Sequence, residues 1–472
     1  MDIGALVGMA SYPKDSPIYG ALNAADVADL RKALETGNAA VTIGGPNAGV
    51  SALRPQSLES TLKVVTVTQK HLKLWPKLAK DPAKSTLEEY SRLDALGELG
   101  DGFIPEVATP VSTAETMSRQ AVALKFMGVK KEVSLASTLV NNIVGNLEAH
   151  EAQIGTTELL AQLERNLVYG DSSMNTLSFD GFVKQITDAA TGEFADIVID
   201  WEGKAPDEAM MEKMCQTVGD HYGILDYMIT SVRGKSNLRA SLFPMQRMGM
   251  PAAIPGAVGA KFDKYEGQSN VDVEDSVFIR DKKARTVGMT VTNTPANPAS
   301  FTATQGNDST SKLEAGKTYY YWIGMMKQGL ESAAVTASAS TTGLYQKITL
   351  SMADSNFGTG ANAAEYINIY RSTDRNDITQ ATLIAQVARA AGAAPTTYVD
   401  LNQSRDRCDI ALGFTWDAEG VVKFKQLAPL MKLPLAVTGT SQPFMILLFG
   451  SPVLFAPSKC VYVKNMGRPY VQ

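Results

Sequence analysis

The sequence contains few of the residues on which disulfide frameworks and zinc sites depend. Of its 472 residues, only 3 are cysteine and 3 are histidine. Cys215, Cys408 and Cys460 lie far apart and form none of the close pairs found in zinc knuckles, redox CxxC motifs or secreted disulfide scaffolds. We therefore expect synthesis in a reducing cytoplasm, without a structural disulfide or a zinc site.

An excess of basic residues and a long apolar run are also missing. Lysine and arginine number 44 against 49 aspartate and glutamate residues, a net charge of −5, which excludes a strongly basic reader of nucleic acid. The most apolar stretch, 444–455, is interrupted by Gly450 and Pro452 and is shorter than the roughly 17 apolar residues of a membrane-spanning helix. We predict that it forms a pair of core strands, and we expect no signal peptide.

The common signatures of catalysis and cofactor binding are missing as well. His71, His150 and His221 are too far apart in sequence to form a local cluster, and no GxSxG or phosphate-loop motif occurs. The glycine-rich stretches 43–46 and 255–261 lack the strand-then-helix setting of a phosphate loop. We therefore predict no catalytic, cofactor-binding or metal-binding residue and no cofactor, and an enzyme is the least favoured class.

Local patterns divide the chain, whose length predicts about three domains. Glycine and proline punctuate residues 1–60, which we interpret as an arm with one short helix near 23–37. Residues 77–115 are charged and broken by turns, as expected of a long projecting hairpin. Apolar residues alternate afterwards, which predicts the return strand of that hairpin; they are Val122, Leu124 and Phe126.

Two amphipathic helices are predicted after the hairpin. Residues 156–169 carry one apolar stripe, formed by Leu159, Leu160, Leu163 and Leu167. A second helix begins with Pro206 at its first position, and its apolar stripe includes Cys215 as a small core residue. Each helix requires a sheet or another helix to cover its stripe.

The segment 298–402 differs from its surroundings, because charges are sparse and strand patterns follow one another without an intervening helix. One strand carries Tyr319, Tyr321 and Ile323 at period two. About 100 residues of short strands and turns match the size of an immunoglobulin-like sandwich, which we interpret as an inserted domain. The strands after it should complete a sheet begun before residue 290, so that the parent domain is discontinuous.

The aromatic run from Tyr319 to Trp322 allows two interpretations. Exposed together, these rings would form the platform of a sugar-binding sandwich. Alternation along a strand would instead place every second ring in the core, which is the more common arrangement. We favour core rings and keep the sugar platform as the alternative.

A series of short stretches occurs in a fixed order along the chain. Those outside the inserted segment are 66–90 (TVTQKHLKLWPKLAKDPAKSTLEEY), 123–143 (ALKFMGVKKEVSLASTLVNNI), 169–171 (YGD), 177–186 (LSFDGFVKQI) and 427–436 (LAPLMKLPLA). Those inside it are 298–304 (PASFTAT), 315–332 (AGKTYYYWIGMMKQGLES) and 366–372 (YINIYRS). Through the order of these stretches, nearly the whole chain resembles the major capsid proteins of large contractile-tailed bacteriophages, which have the Hong Kong ninety-seven fold.

The resemblance implies an α+β chain with an N-terminal arm, an extended loop, a spine helix, a peripheral domain and an axial domain. It also implies an inserted all-β sandwich of immunoglobulin-like or fibronectin-like type. The corresponding limits are 1–65 for the arm, 66–125 for the extended loop and flanking strands, 126–290 for the spine helix with the first part of the peripheral and axial domains, 291–405 for the sandwich, and 406–472 for the closing C-terminal strands.

The resemblance further implies a mechanical function in the virion. Copies made in the bacterial cytoplasm would assemble as hexamers and pentamers into an icosahedral head shell around double-stranded DNA. Expected partners are the chain itself, a scaffolding protein, a portal, a decoration protein and DNA bound without sequence preference, but no membrane. The residues expected to contact a neighbouring subunit are Lys80, Lys84, Glu88, Glu89, Arg92 and Arg119. As merely solvated hairpin charges, each would contribute under about 1 kcal/mol.

Three further expectations accompany this interpretation. Some members of the family are locked by Lys–Asn isopeptide bonds between subunits; loop lysines and Asn465 are of the required types, but these types are too common to predict a cross-link. Other members begin with a charged scaffolding segment; because none precedes Met1, we expect a separate scaffolding protein or a trimmed chain. The alternative function is a phage or cell-surface adhesin that binds glycans through the inserted sandwich.

Overall fold

The structure, a computed structural model, describes residues 66–97, 103, 106, 112–139, 146–246, 263–279, 282–416, 420–437 and 439–467. The predicted arm, with its helix near 23–37, and both glycine-rich stretches lie outside these residues. Part of the predicted loop 77–115 also lies outside them.

The described part of the chain is mixed α and β, as predicted. Its helices are α1 (Leu74–Lys77), α2 (Leu135–Leu139), α3 (Leu147–Tyr169), α4 (Phe182–Ala189), α5 (Glu208–Asp220) and α6 (Val232–Gln246). Its strands are β1 (Ala79–Pro82), β2 (Leu87–Ala95), β3 (Thr116–Ala123), β4 (Lys125–Ser134), β5 (Val198–Asp200), β6 (Tyr227–Ser231), β7 (Lys264–Glu266), β8 (Asn270–Ser276), β9 (Thr302–Asn307), β10 (Thr318–Lys327), β11 (Leu330–Glu331), β12 (Val335–Ser340), β13 (Gln346–Met352), β14 (Tyr366–Thr373), β15 (Thr382–Ala388), β16 (Thr396–Asp400), β17 (Asp409–Phe414), β18 (Val422–Pro434), β19 (Ser441–Leu454) and β20 (Val461–Met466).

A six-stranded sheet has the order β5-β20-β17-β6-β8-β7. Strands β17 and β20 come from the end of the chain, and they join strands that precede β9 in sequence. Helices cover both faces of the sheet, because Met214 and Leu238 belong to one of its hydrophobic cores and Phe182 belongs to the other. Strand β6 is accordingly buried at every position.

Helix α5 begins after an aspartate cap rather than with proline. Oδ1 of Asp207 accepts a hydrogen bond from the Met210 N–H at 3.0 Å, so Asp207 is the N-cap and Pro206 precedes it. The predicted first position for Pro206 is therefore wrong, because the Asp207 carboxylate satisfies an N–H of the first turn. The predicted stripe is confirmed, since Cys215 is buried among the methionines of this helix.

A four-stranded sheet, in the order β1-β18-β19-β4, supports the long helix α3. The side chains of Leu159, Leu163 and Leu167 are fully buried in the same core as Phe444 and Ile446 of β19. The predicted apolar stripe is thereby confirmed, and the sheet is the surface that covers it.

Helix α3 is longer than predicted, because it begins at Leu147 instead of residue 156. Asn146 caps it by accepting a hydrogen bond from the Ala149 N–H at 3.2 Å. Gly155, a poor helix former, lies in its interior, where an added Cβ would be 2.8 Å from Cδ1 of Ile446. Close approach of helix and sheet thus outweighs a helix-propensity cost of about 1 kcal/mol.

Two strand predictions are wrong. Residues 444–455 do not form a pair of strands but the greater part of one strand, β19. Pro452 is tolerated because β4 pairs with β19 only as far as Gly450, so no neighbour on that side requires the missing N–H. Leu124 separates β3 from β4, so Val122 and Phe126 lie in different sheets and β3 alone is the return strand of the hairpin.

Strands β9 to β16 form two antiparallel sheets that share one core. The larger sheet has the order β11-β10-β14-β15, with β12 also paired to β10, and the smaller has the order β16-β13-β9. Ile348 and Leu350 of the smaller sheet pack with Tyr321, Ile323 and Ile369 of the larger. We call this two-sheet segment the sandwich; its immunoglobulin-like type stays a prediction.

The sandwich also buries a network of charged side chains. Arg371, with 1% of its side chain exposed, donates from Nη1 to Oδ2 of Asp400 at 2.8 Å and from Nη2 to Oδ1 of Asp406 at 3.0 Å. Nη2 also donates to Oδ1 of Asn402 at 2.8 Å. Asn402 and Asp406 belong to the segment that leaves the sandwich, so the network fixes this exit segment to β14.

Candidate assembly surface

The hairpin of β2 and β3 is a two-stranded sheet of its own. Alternate residues point to its two faces, and Tyr90 packs edge-on against Phe455 with ring centroids 4.8 Å apart. On the opposite face three large apolar side chains stay exposed, Leu87 at 51%, Leu93 at 49% and Met117 at 61%. We call this surface the outer hairpin face.

One ion pair crosses the outer hairpin face. Nη2 of Arg119 on β3 contacts Oε2 of Glu89 on β2, and both side chains are exposed. The strand register places Arg119 opposite Ser91, so the ion pair runs diagonally between the strands. Two of the six predicted contact residues therefore lie together, between exposed apolar side chains.

Glu88 and Lys84 shape the entry to the hairpin. Oε1 of Glu88 accepts hydrogen bonds from the backbone N–H groups of Lys84 at 2.6 Å and Ser85 at 3.1 Å. These hydrogen bonds hold the pKa of Glu88 below its ordinary value, because they favour the carboxylate. The side chain of Lys84 is exposed.

The other two predicted residues have partners within the same subunit. Nε of Arg92 is 2.5 Å from Oδ1 of Asp94. Lys80 lies in β1 of the four-stranded sheet, outside the projecting hairpin, because β1 pairs in parallel with β18. Its Nζ donates to the carbonyl of Trp75 at 2.9 Å and lies 4.5 Å from that ring, and burial lowers its pKa. A subunit contact for all six residues stays a prediction.

Sequence reasoning missed a second exposed apolar surface, on the face of the four-stranded sheet that points away from α3. Phe126 is 61% exposed there and Leu433 is 45% exposed. The Phe126 ring packs edge-on against Phe449, with centroids 5.0 Å apart. The sequence signal for this surface is the alternation of side chains along the strand 125–134. It was missed because Phe126 was assigned to the return strand of the hairpin.

A buried carboxylate at the base of the hairpin was also missed. Oε1 of Glu164, fully buried on α3, accepts hydrogen bonds from the N–H groups of Leu74 at 2.9 Å and Trp75 at 3.3 Å. Within the described residues, its Oε2 has no hydrogen-bond partner. Burial, with a smaller contribution from the charge of Glu274, raises the pKa of Glu164 to about 7. The sequence signal is a glutamate directly beside the leucines of the apolar stripe.

A second contact holds the same base to the six-stranded sheet. Nζ of Lys77, at the end of α1, is 3.2 Å from Oε1 of Glu274 on β8. The Tyr227 hydroxyl donates to Oε2 of the same carboxylate at 3.1 Å. Helix α1 is thus attached to α3 through Glu164 and to the sheet through Lys77, immediately before the chain enters β1 and the hairpin.

The described parts of the chain contain neither a cluster of metal ligands nor a long apolar helix. Among these residues, no group of three or more His, Cys, Asp or Glu side chains is placed to hold a metal ion. None of the three cysteines forms a disulfide, and burial raises the pKa of the Cys460 thiol to about 12. No described helix is both long and apolar enough to cross a membrane.

The aromatic run in β10 does not form an exposed platform. Tyr319, Tyr321 and Trp322 are buried, and Tyr320 is half-buried. The core interpretation is therefore confirmed, and more rings are buried than alternation alone predicts. The reason is that Trp322 packs with Tyr370 in a small cluster on the second face of the same sheet. An adhesin that binds sugars through these rings is not favoured.

Asn465 is fully engaged within its own subunit. Its Nδ2 donates to Oδ1 of Asp200 and to the carbonyl of Gln403, both at 2.8 Å, and its Oδ1 accepts from the Arg405 N–H at 2.8 Å. With 4% of the residue exposed, its amide is not presented to a lysine of another subunit.

Comparison with known proteins identifies relatives along almost the entire chain, although no family model matches it. The major capsid proteins of Staphylococcus phages S25-3 and K are 24% and 23% identical to it over 459 residues, covering 93% of this chain and 95% of each relative. Similar solved structures include the capsid of a native GTA particle (9% identical, TM-score 0.45, covering 90% of this chain and 98% of that one) and a chain of Gordonia phage Cozz (10% identical, TM-score 0.43, covering 90% and 96%).

Over almost its whole length, the chain is thus similar to a class of structural proteins, the capsid proteins. More particularly, the chain is a homologue of phage major capsid proteins from near one end to the other. The resemblance to phage major capsid proteins that was recognised from the sequence is thereby confirmed. The contractile-tailed subgroup stays a prediction.

Proposed function

We propose that this protein is the major capsid subunit of a phage, many copies of which form the shell of the virion head. The observation that carries the proposal is the collinear similarity to curated major capsid proteins over 93% of the chain. The described geometry agrees with a structural role, because the exposed apolar side chains of the hairpin leave a packing surface for another molecule. The role is mechanical and not enzymatic.

The outer hairpin face is the lateral contact that we propose for assembly. An isolated two-stranded hairpin is marginally stable in water, so a hairpin with Leu87, Leu93 and Met117 exposed gains stability when another surface covers it. The Glu89–Arg119 pair lies among these side chains and can exchange partners with charges of a neighbouring copy. Small contacts of this kind recur at every interface of a closed symmetric shell.

The finer organisation follows the family resemblance. Subunits would form hexamers and pentamers around double-stranded DNA, with a scaffolding protein, a portal and a decoration protein as partners. The proposed domain limits are those given by the sequence: arm to residue 65, extended loop to 125, parent domain to 290, sandwich to 405 and closing strands to 472. Strand pairing supports a discontinuous parent domain, because β17 to β20 join sheets begun before the sandwich.

Assembly of the purified chain, with and without a co-expressed scaffolding protein, tests the proposal. We expect sedimentation velocity to show a fast species, and negative-stain micrographs of that species to show rings, tubes or closed shells. The variant Leu93→Ser should assemble poorly, because it removes apolar area from the outer hairpin face.

A matched control is Leu344→Ser, which replaces a leucine that is 71% exposed on the sandwich instead of the hairpin. This variant should assemble as the unmodified chain does. Equal loss in both variants would argue against the hairpin contact, and a chain that stays monomeric even with scaffolding protein would overturn the capsid proposal itself.

A further inference from the structure

A cluster of polar side chains lies beneath the segment that enters the sandwich, on the face of the larger sheet that points away from the main core. Glu331 on β11 is 4% exposed, and Asn368 and Tyr370 on β14 are fully buried. Lys282, in the entering segment, keeps 22% of its side chain exposed. An ordinary core position would hold apolar side chains, because burying amides and charges is costly unless they are paired.

One carboxylate contacts both the amine and the amide of this cluster. Nζ of Lys282 is 3.7 Å from Oε2 of Glu331, and Nδ2 of Asn368 donates to Oε1 of Glu331 at 3.0 Å. The Tyr370 hydroxyl donates to the same Oε1 and accepts from Nδ2 of Asn368 at 3.1 Å. Glu331 thus lies within ion-pair distance of the amine and within hydrogen-bond distance of the amide nitrogen.

The carbonyl of the amide is polarised from its other side. Nε2 of Gln386, on the neighbouring strand β15, donates to Oδ1 of Asn368 at 2.7 Å. A donor at this oxygen stabilises the negative charge that develops there when a nucleophile adds to Cγ. Asn368 therefore has the surroundings of an activated carbonyl.

The backbone holds these groups in place. The Leu383 N–H donates to the Lys282 carbonyl at 3.2 Å, which ties the entering segment to β15. Gly324 lies opposite Asn368 in the strand register, and an added Cβ there would be 3.1 Å from Oε1 of Glu331. The glycine thus leaves room for the carboxylate over the sheet.

The surroundings of Lys282 favour the neutral form of its amine. Burial is the main cause that lowers the pKa of Lys282 to about 8, against the opposing effect of the Glu331 charge. The same direction follows from the neighbouring charges of Arg165 and Arg285. A lysine with a lowered pKa carries more of the neutral amine, which is the nucleophilic form.

We propose that Lys282 and Asn368 become joined by an intramolecular isopeptide bond inside the folded sandwich. The neutral Nζ of Lys282 attacks Cγ of Asn368, so that the Nζ–Cγ bond forms and the Cγ–Nδ2 bond breaks. Glu331 accepts the proton that the amine loses and transfers it to Nδ2, which leaves as ammonia. The product amide keeps one N–H, and the reaction requires no oxidant or reductant.

Such a bond differs from a cross-link between subunits, because it ties the entering segment to a central strand of the same sandwich. It does not depend on the proposed capsid function, since every participating group belongs to one chain. A reducing compartment would not reverse it, in contrast to a disulfide.

Intact-protein mass spectrometry of the purified full chain tests the proposal directly. We expect a mass lower than that of the sequence by one ammonia, about 17 Da. Tandem spectra of a tryptic digest should contain one branched peptide that joins Lys282 to the peptide containing Asn368. Lys282→Arg and Glu331→Gln should restore the full mass, whereas Lys317→Arg, at an exposed lysine of the same sandwich, should keep the loss.

Two results would overturn the proposal. The first is the full sequence mass, with Lys282 and Asn368 in separate tryptic peptides, in a chain whose cooperative thermal unfolding shows that it is folded. The second is a mass loss that persists in Lys282→Arg, because ammonia would then leave Asn368 or another residue without the lysine. The first result is read on the unmodified chain, so poor folding of a variant does not affect it.

Discussion

The hairpin and the sandwich differ in where they place their apolar and charged side chains. The hairpin leaves Leu87, Leu93 and Met117 in solvent and places its Glu89–Arg119 pair beside them. The sandwich buries Tyr321, Ile323 and even a fully paired arginine between its own sheets. The sandwich can therefore be stable within one chain, whereas the proposed assembly contact would cover the exposed apolar side chains of the hairpin.

The largest effect should follow from removing the buried arginine of the sandwich. Arg371→Met leaves Asp400 and Asp406 without their partner, and breaking a buried ion pair costs about 3–5 kcal/mol. Urea unfolding should show this loss. Lys317→Met removes only an exposed pair with Asp374 and should leave the unfolding midpoint unchanged; equal losses would mean that the sandwich does not depend on its buried network.

The next effect concerns pH and the base of the hairpin. The pKa of Glu164 is raised to about 7 from 4.5, so the folded state binds a proton that the unfolded state has lost between these values. Stability from this group is present below about pH 4.5 and falls as the pH rises to about 7, by up to about 3 kcal/mol. Glu164→Gln, which stays neutral, should flatten the dependence of the unfolding free energy over this interval.

Measurement of unfolding by urea at several pH values checks this prediction. Glu158→Gln is a suitable control, because that carboxylate lies on the same helix in a half-exposed pair with Lys131. An unaltered pH dependence in Glu164→Gln would show that other groups produce it. A matching change in the control would show that the effect is not specific to the base of the hairpin.

A smaller effect separates stability from assembly. Met117→Ser should change the unfolding free energy of the isolated subunit by less than about 0.5 kcal/mol, since its side chain is mostly exposed. Ile369→Ser, at a fully buried position of the sandwich, should destabilise the subunit strongly. The comparison between the two regions fails if Met117→Ser destabilises the isolated subunit as much as Ile369→Ser does.

The smallest effect is the ion pair on the outer hairpin face. A double-mutant cycle of Glu89→Gln and Arg119→Gln should give a coupling of about 0.5 kcal/mol or less in the isolated subunit, and less at high salt. In assembled particles, we measure the denaturant concentration needed for dissociation. The same cycle should give a larger coupling in that measurement. Identical coupling in both states would place the pair outside the subunit contact.

Sequence patterns predicted the elements whose signal is local. The leucine stripe of α3 and the period-two residues of β10 are buried as expected, because their spacing alone decides which side faces the core. The start of α3 was missed because Gly155 is explained by the close approach of the sheet, including Ile446, a residue far away in the sequence. Likewise, Pro452 indicates the end of a strand when only the sequence is considered. It is tolerated within β19 because β4 ends before it, which the local sequence does not show.

The candidate surface was predicted in part for the same reason. Charges in a hairpin are visible in the sequence, so Glu89 and Arg119 were identified, and the register that brings them together is local to the hairpin. Lys80 was assigned to the loop because its pairing partner β18 lies near the other end of the chain. The grouping of Lys282, Glu331 and Asn368 is equally invisible, since it arises only when three separated segments meet.

The strand order of the six-stranded sheet has a consequence for synthesis on the ribosome. Val198 in β5 pairs with Tyr462 in β20, so this sheet cannot close until Tyr462 has emerged from the exit tunnel. The sandwich is complete much earlier, because all its strands lie between Thr302 and Asp400. A nascent chain would therefore carry a folded sandwich on an unfinished parent domain, and a truncated product would be unable to enter an assembly as a competent subunit.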